Sequence, residues 1–213
     1  MSAHVIIAFF KYPSPGKVKT RLAASLGEVA AAAAYEELAA WSLQNLAGVR
    51  EGVKCWIAYT PAEARVAVAE WLRGNVPALQ WDRLLPQVEG DLGDRLWDAV
   101  ETALVKEGAA SVTLIGTDCP RLRADHFMQA QRWLEEGADV VFGPAKDGGY
   151  YLQALKSAAR EMFTDIPWSQ PETLQACLDK ARKLGWKVAM LEELEDVDTL
   201  REWESWQKEL SET

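Results

Sequence analysis

From Val5 to Phe10 every position is apolar, as in a strand covered on both faces rather than one with a wet side. Further on, Tyr35, Leu38, Ala39, Leu43 and Leu46 recur at helical spacing, which predicts a helix from Glu28 to about Gly48. The pattern then repeats. "VKCWIAYT" (53–60) has strand character, "PAEARVAVAEWLRG" (61–74) predicts a helix opening on Pro61 and closing at Gly74, and "LQWD" (79–82) predicts a short strand. "DLGDRLWDAVETALVKEG" (91–108) reads as one helix, "SVTLIGTD" (111–118) as a strand, and "ADHFMQAQRWLEEG" and "ADVVFGPA" (124–145) as a further helix and strand.

Strands and helices alternating in this way predict an α/β sandwich built on a mostly parallel sheet. Beyond Gly143 the rhythm changes: "GGYYLQAL" predicts a strand entered by a tight turn, Pro171 to Leu184 a helix, "WKVAMLE" a strand and Thr199 to Leu210 a terminal helix. The last third is therefore where an antiparallel or mixed addition to the sheet is expected. With no internal repeat and no low-complexity linker, one domain is expected over residues 1–213.

Composition narrows the partners. The net charge of -9 argues against a protein that coats nucleic acid or an anionic membrane. Cys55, Cys119 and Cys177 form no C-x-x-C and imply neither a disulfide framework nor a zinc ribbon, so any metal is expected on oxygen. The apolar run near the N-terminus lacks a basic leader and a cleavage site, and the expected location is cytoplasmic.

Against that acidic background, "FFKYPSPGKVKTRL" (9–22) gathers Lys11, Lys17, Lys19 and Arg21, with two prolines and Gly16 that forbid a helix through its first half. Either this is a solvated surface loop, or Gly16 admits a ligand against the backbone while the cations hold a diphosphate. The spacing is not that of a P-loop. In open α/β sheets ligands bind beyond the carboxyl ends of the strands. This loop, "GTDCP" (116–120) and "PAKDGGY" (144–150) all fall there.

Asp118, at the end of an apolar strand, is placed to hold Mg²⁺ or Mn²⁺ against phosphate oxygens, or else to cap a helix opening near Pro120. Cys119 is read as packing. In "KDGGY", Gly148 and Gly149 either admit a sugar or acceptor beside Asp147, which binds a hydroxyl or acts as base, or simply build a hairpin turn. "EDVDTL" (195–200) is read as directing Asp196 and Asp198 to opposite sides, so that one faces the site and the other caps the last helix. In "QVEGDLGDRL", Arg95 reaches a phosphate, or the acidic residues merely open a helix. Of ten tryptophans, those in helical segments (41, 71, 97, 133, 203, 206) are read as fillers, and Trp168 in "DIPWSQP" is kept as a ligand contact.

The ordered set "FFKYPSPGKVKTRL", "GDLGDRL", "IGTDCPRL", "GPAKDGGYYLQAL", "IPWSQPET" and "DVDTL" resembles the glycosyltransferases associated with radical-SAM and selenoprotein-like domains and linked to arsenosugar biosynthesis. That family looks like the GT-A nucleotide-diphospho-sugar transferases, and its first motif is similar to that of phospholactate and molybdenum-cofactor guanylyltransferases. The resemblance implies a GT-A three-layer sandwich with a mostly parallel, mixed sheet. It implies Lys11, Lys19 and Arg21 at phosphates, Asp118 and Asp198 as ligands of Mg²⁺ or Mn²⁺, and Asp147 with Tyr150 toward sugar or acceptor. Where GT-A enzymes carry D-x-D, this chain has Thr117-Asp118-Cys119.

The function expected is transfer of a glycosyl group from a nucleotide diphosphate sugar to a small acceptor. The same fold suits a nucleotidyltransferase that releases pyrophosphate, and a non-catalytic nucleotide-binding module is the alternative from another class.

Overall fold

A computed structural model describes residues 3–49 and 52–212. Seven strands form one sheet: β1 (His4–Lys11), β2 (Val53–Thr60), β3 (Arg83–Pro86), β4 (Ser111–Ile115), β5 (Val140–Pro144), β6 (Tyr150–Leu155) and β7 (Val188–Met190). Their order is β3-β2-β1-β4-β6-β5-β7, and β6 alone runs antiparallel to its neighbours. This is the α/β fold with a mostly parallel, mixed sheet, and its irregular strand lies in the last third, where the periodicity changes.

The apolar run of β1 divides between two cores by parity. Ile6, Ala8 and Phe10 join one face of the sheet, Val5 and Ile7 the other, because successive strand side chains point to opposite faces. The first face is covered by α2 (Glu28–Leu46), α3 (Arg65–Asn75) and α5 (Ala124–Glu135); the second by α4 (Leu92–Glu101) and α6 (Thr173–Lys183). The last helix, α7 (Leu200–Ser211), lays Trp206 against Leu38 of α2 and Val197. Its start is fixed by a capping box between Thr199 and Glu202.

Two expectations are corrected and one element is added. The strand placed at 79–82 lies instead at Arg83–Pro86. Leu79 is spent on the turn that follows α3, its N–H donating to Val76, and Asp82 joins Cys55 through both its N–H and its carboxylate before strand pairing begins. The helix expected over 91–108 is α-helical only to Glu101 and widens into a π-turn over Thr102–Lys106, closed by Glu107 N–H on the Thr102 carbonyl. A short helix, α1 (Thr20–Leu26), also precedes α2, the two separated by Gly27 at φ 81.

Candidate functional site

A basin of about 510 Å³ opens at the carboxyl ends of β1, β2 and β4. Lys11, Lys17, Lys19, Arg21 and Arg95 line it together with Asp118, Asp147 and Asp198. Residues as far apart as 11 and 198 thus meet on the rim that the sheet topology favours for ligands.

The floor is organised by Tyr35, which α2 presents from below. Its hydroxyl accepts the Lys11 N–H at 3.1 Å and shares a hydrogen bond with Thr117 Oγ1 at 3.0 Å, while Thr117 donates to the Phe9 carbonyl at 3.2 Å. The ends of β1 and β4 are pinned together through one phenol, and burial holds its proton on, pushing the Tyr35 pKa up to about 12.

Lys19 occupies the centre of charge. Its backbone is left-handed (φ 45) at the start of α1, and its side chain is only 5% exposed. The ammonium donates to Asp118 Oδ2 at 3.0 Å and Asp198 Oδ1 at 2.7 Å. Burial pulls the Lys19 pKa down, and the two carboxylates outweigh that pull, so the group stays protonated beyond the ordinary lysine range. Arg21 reaches Asp198 Oδ2 at 3.5 Å from a largely exposed position.

Lys11, Lys17 and Arg95 behave differently. Among the described residues none of the three forms an ion pair with a carboxylate. Burial, with Arg95 and Lys17 nearby, lowers the Lys11 pKa. The Arg95 guanidinium donates through one amino group to the Gly90 carbonyl at 3.1 Å, and its buried Nε has no partner. All three line the basin without a carboxylate partner.

Asp118 does not cap a helix: α5 opens later, on Arg123. Cys119 is buried, and burial raises its thiol pKa far out of the reactive range, in keeping with its reading as packing. Asp196 and Asp198 are not sent to opposite sides as the sequence reading had it. Val197 between them enters the core, because alternate residues share a face. Asp198 lines the basin, and Asp196 lies outside its lining but near enough to feel the Asp118 charge, its Oδ1 buried without a hydrogen-bond partner. Burial, and then the Asp118 charge, push the Asp196 pKa up to about 8.

The "KDGGY" segment is the β5–β6 hairpin, and its turn carries Asp147 into the basin lining. Asp147 Oδ1 accepts the Gly149 N–H at 2.8 Å. Gly148, at φ 89, passes so close to the loop before α6 that a Cβ on it would fall 2.1 Å from the Pro171 carbonyl. Gly16 (φ 73) turns the basic loop beside the Glu28 carboxylate, outside the basin lining. Trp168 packs against Gly93 at the opening of α4, and Ser169 is the residue of that loop that lines the basin. Tyr150 is turned inward, donating to Gln153 Oε1. Lys17 was visible in the sequence as part of the basic loop. Tyr35, Gln87 and Ser169 carry no local signal, because only the tertiary fold brings them here.

Asp118 and Asp198 converge on the Lys19 ammonium, and both offer hard oxygen ligands. Among the described residues no group of three or more His, Cys, Asp or Glu side chains forms a metal cage. Two carboxylates suit Mg²⁺ or Mn²⁺ completed by substrate phosphate oxygens. Here the Lys19 ammonium stands between them, so a divalent ion on this pair would have to take its place or share their oxygens with it.

Residues 44–170, more than half of the chain, match the family described as "Uncharacterized protein conserved in bacteria (DUF2064)". The chain belongs to the DUF2064 family. A crystal structure from Desulfovibrio desulfuricans G20, provisionally described as a nucleotide-diphospho-sugar transferase, is 34% identical to this DUF2064 chain, with a TM-score of 0.81 over 93% of this chain and 84% of that one. The fold is also shared at low identity. A CMP:2-keto-3-deoxy-manno-octonic acid synthetase complexed with CTP is 13% identical (TM-score 0.59, 99% of each chain). A Mycobacterium tuberculosis protein in complex with manganese is also 13% identical (TM-score 0.56, 97% of this chain, 99% of that chain). A search of curated proteins finds no match. No helix among the described residues is long and apolar enough to cross a membrane.

Proposed function

We propose that this DUF2064 protein is an enzyme that binds a nucleotide diphosphate sugar in the basin and transfers its glycosyl group to a small acceptor. The observation that carries the reading is that Lys11, Lys17 and Arg95, none paired with a carboxylate, line the same cavity as Asp118, Asp147 and Asp198. An acidic protein leaves three cations without carboxylate partners where a polyanion neutralises them. The relative from Desulfovibrio desulfuricans G20 points to the same substrate class.

In this reading the diphosphate lies along Lys11, Lys17 and Arg95, whose preorganised charges stabilise the negative charge that grows on it. The acceptor hydroxyl oxygen forms a bond to the anomeric carbon, and the bond from that carbon to the diphosphate oxygen breaks with its electron pair passing to the nucleoside diphosphate. Asp147 takes the hydroxyl proton. Asp118 and Asp198 would hold a divalent ion if it displaced or shared the Lys19 ammonium they now bind, and it would supply Lewis-acid neutralisation of the phosphates; a protein of the same fold was crystallised with manganese. The expected setting is the cytoplasm, without nucleic-acid or membrane partners.

A second reading is nucleotidyl transfer, in which a substrate phosphate attacks the α-phosphate of a nucleoside triphosphate and pyrophosphate leaves. It is favoured by the position of the carboxylates. Thr117 is tied to Tyr35 and Cys119 is buried, so Asp118 has no acidic neighbour as in D-x-D and is linked to Asp198 only through the Lys19 ammonium they share. Incubation with panels of nucleotide sugars and nucleoside triphosphates, with candidate acceptors and Mg²⁺ or Mn²⁺, separates the two. Released nucleoside diphosphate supports glycosyl transfer, pyrophosphate supports nucleotidyl transfer, and neither product supports a binding module.

A further inference from the structure

A second cavity of about 150 Å³ opens off the basin, and its walls are Phe9, Leu92, Leu96, Leu114, Tyr150 and Tyr151, with Ile115 and Gly116. It shares Phe9, Leu92 and Gly116 with the basin. The chemistry of the two is opposite: the basin is rimmed by charge, whereas this annex has no charged side chain in its lining.

Its apolar surface is left uncovered by the fold. Along β1 from His4 to Phe10, Phe9 alone is not fully buried. Leu92, in the first turn of α4, is 40% exposed although it points toward the site. Both stand at the mouth, next to the anion-binding residues. Phe9 is two positions from Lys11 on β1, on the same face of the strand, and Leu92 is one helical turn from Arg95. The Tyr150 hydroxyl is engaged by Gln153 Oε1, so its ring serves as a wall, whereas the Tyr151 ring lies on the opposite face of the sheet with its hydroxyl on the Glu192 carbonyl. At the junction Gly116 offers no side chain, and a Cβ there would fall 2.7 Å from Asp118 Oδ1.

We infer that the annex receives a compact apolar group of the acceptor, an alkyl or small alicyclic portion, lying beside the group that reacts in the basin. This rests on the reading of the basin as the reaction site and adds the class of its second substrate. A nucleobase or a sugar ring does not fit this role. Each needs hydrogen-bond partners for its polar edge, and burying such groups unpaired is costly. At roughly 30 Å³ per small heavy-atom group, the volume of a water, the annex takes about five.

The test uses two homologous series, straight-chain alkyl phosphates and the matching alcohols from one to seven carbons, titrated calorimetrically into the full chain. Affinity is expected to rise about fourfold per methylene, the yield of burying one CH₂, and to level off near five carbons. In Leu96→Ala the plateau is expected to move to longer chains, and in Leu114→Phe the rise is expected to vanish. Each variant is compared with its own affinity for inorganic phosphate, so a general loss of fold is not mistaken for loss of the annex.

A rise in both series that moves with Leu96→Ala supports the annex. A rise in the alcohols with no added affinity from the phosphate group supports the annex and overturns the anion reading of the basin. Flat series in the wild type, or a rise indifferent to both substitutions, overturn the annex. So does a Leu114→Phe protein that loses affinity for nucleoside monophosphates while alkyl chains bind as before, because the annex then holds a base.

Discussion

Lys19 Nζ lies 2.7 Å from Asp198 Oδ1, joining residues 179 positions apart, and the same ammonium holds Asp118 at 3.0 Å. The basic loop, the end of β4 and the segment before α7 are thereby tied at one buried cation. Lys19→Met leaves two carboxylates facing each other and is expected to cost about 2 kcal/mol in urea unfolding. Removing one partner of a fully buried pair costs roughly 3–5 kcal/mol, and both carboxylates here retain substantial solvent contact. A group whose pKa rises on folding contributes in full below its unfolded value, 10.5 for lysine, and loses the contribution as pH climbs through the folded value. The difference between wild type and Lys19→Met should therefore be constant across neutral pH and shrink only in strong alkali.

Asp196 predicts the opposite pH window. Its folded pKa of about 8 stands above the unfolded 3.8, so the folded state binds the extra proton. Its contribution is most favourable below the unfolded value and declines as pH rises toward 8. Asp196→Asn should match wild type in acid and be the more thermostable protein at pH 8, as thermal unfolding at both pH values will show. An Asn variant less stable at pH 8 would contradict the placement of a strained carboxyl near the Asp118 charge.

Lys11 and Arg95 are expected to govern anion affinity. Each hydrogen bond to a charged group contributes roughly 1.5–3 kcal/mol, so Lys11→Ala and Arg95→Ala should each weaken nucleotide binding by about 10- to 100-fold. Because burial and neighbouring cations lower the Lys11 pKa, a bound phosphate raises it again. Nucleotide binding on the alkaline side should then take up protons, seen as a buffer-dependent binding enthalpy, and the uptake should disappear in Lys11→Ala.

Asp147→Asn separates chemistry from binding. Loss of a general base lowers turnover by roughly 10²- to 10⁴-fold, while nucleotide affinity should remain within about twofold, a change under 0.5 kcal/mol. Gly148→Ala makes a different point: a Cβ 2.1 Å from the Pro171 carbonyl, at φ 89, should destabilise by about 3 kcal/mol and open the contact between the Asp147 turn and the loop carrying Ser169. Denaturant midpoints check the first effect, and loss of turnover in the residual folded fraction checks the second.

The layout of strands and helices was legible because β1 and β4 are apolar on both faces and the helices are periodic, signals that need no tertiary knowledge. The misplaced third strand and the shortened α4 were not. Leu79 was drawn into the core as part of a turn, and the π-turn after Glu101 keeps helical composition while changing its hydrogen bonds. At the site, the basic loop, Asp118, Asp147 and Asp198 stood out as charges at strand ends. That Lys19 is neutralised while Lys11 and Arg95 are not follows from side-chain reach across the basin, which spacing along the chain does not encode. Tyr35 looked like one more apolar position of α2, and its phenol proves to be the pin between β1 and β4.

The most direct test of the central claim is a thermal-shift panel of nucleoside diphosphates, nucleotide sugars and nucleoside triphosphates, with and without Mg²⁺ or Mn²⁺, on the wild type, Lys11→Ala and Arg95→Ala. At about 100 times its dissociation constant a ligand adds roughly 2.7 kcal/mol, on the order of 5–10 °C for a chain of this size. The account predicts such a shift for the wild type with at least one nucleotide class and a much smaller one for both variants. Stabilisation of all three proteins alike, or of none by any nucleotide, would contradict it.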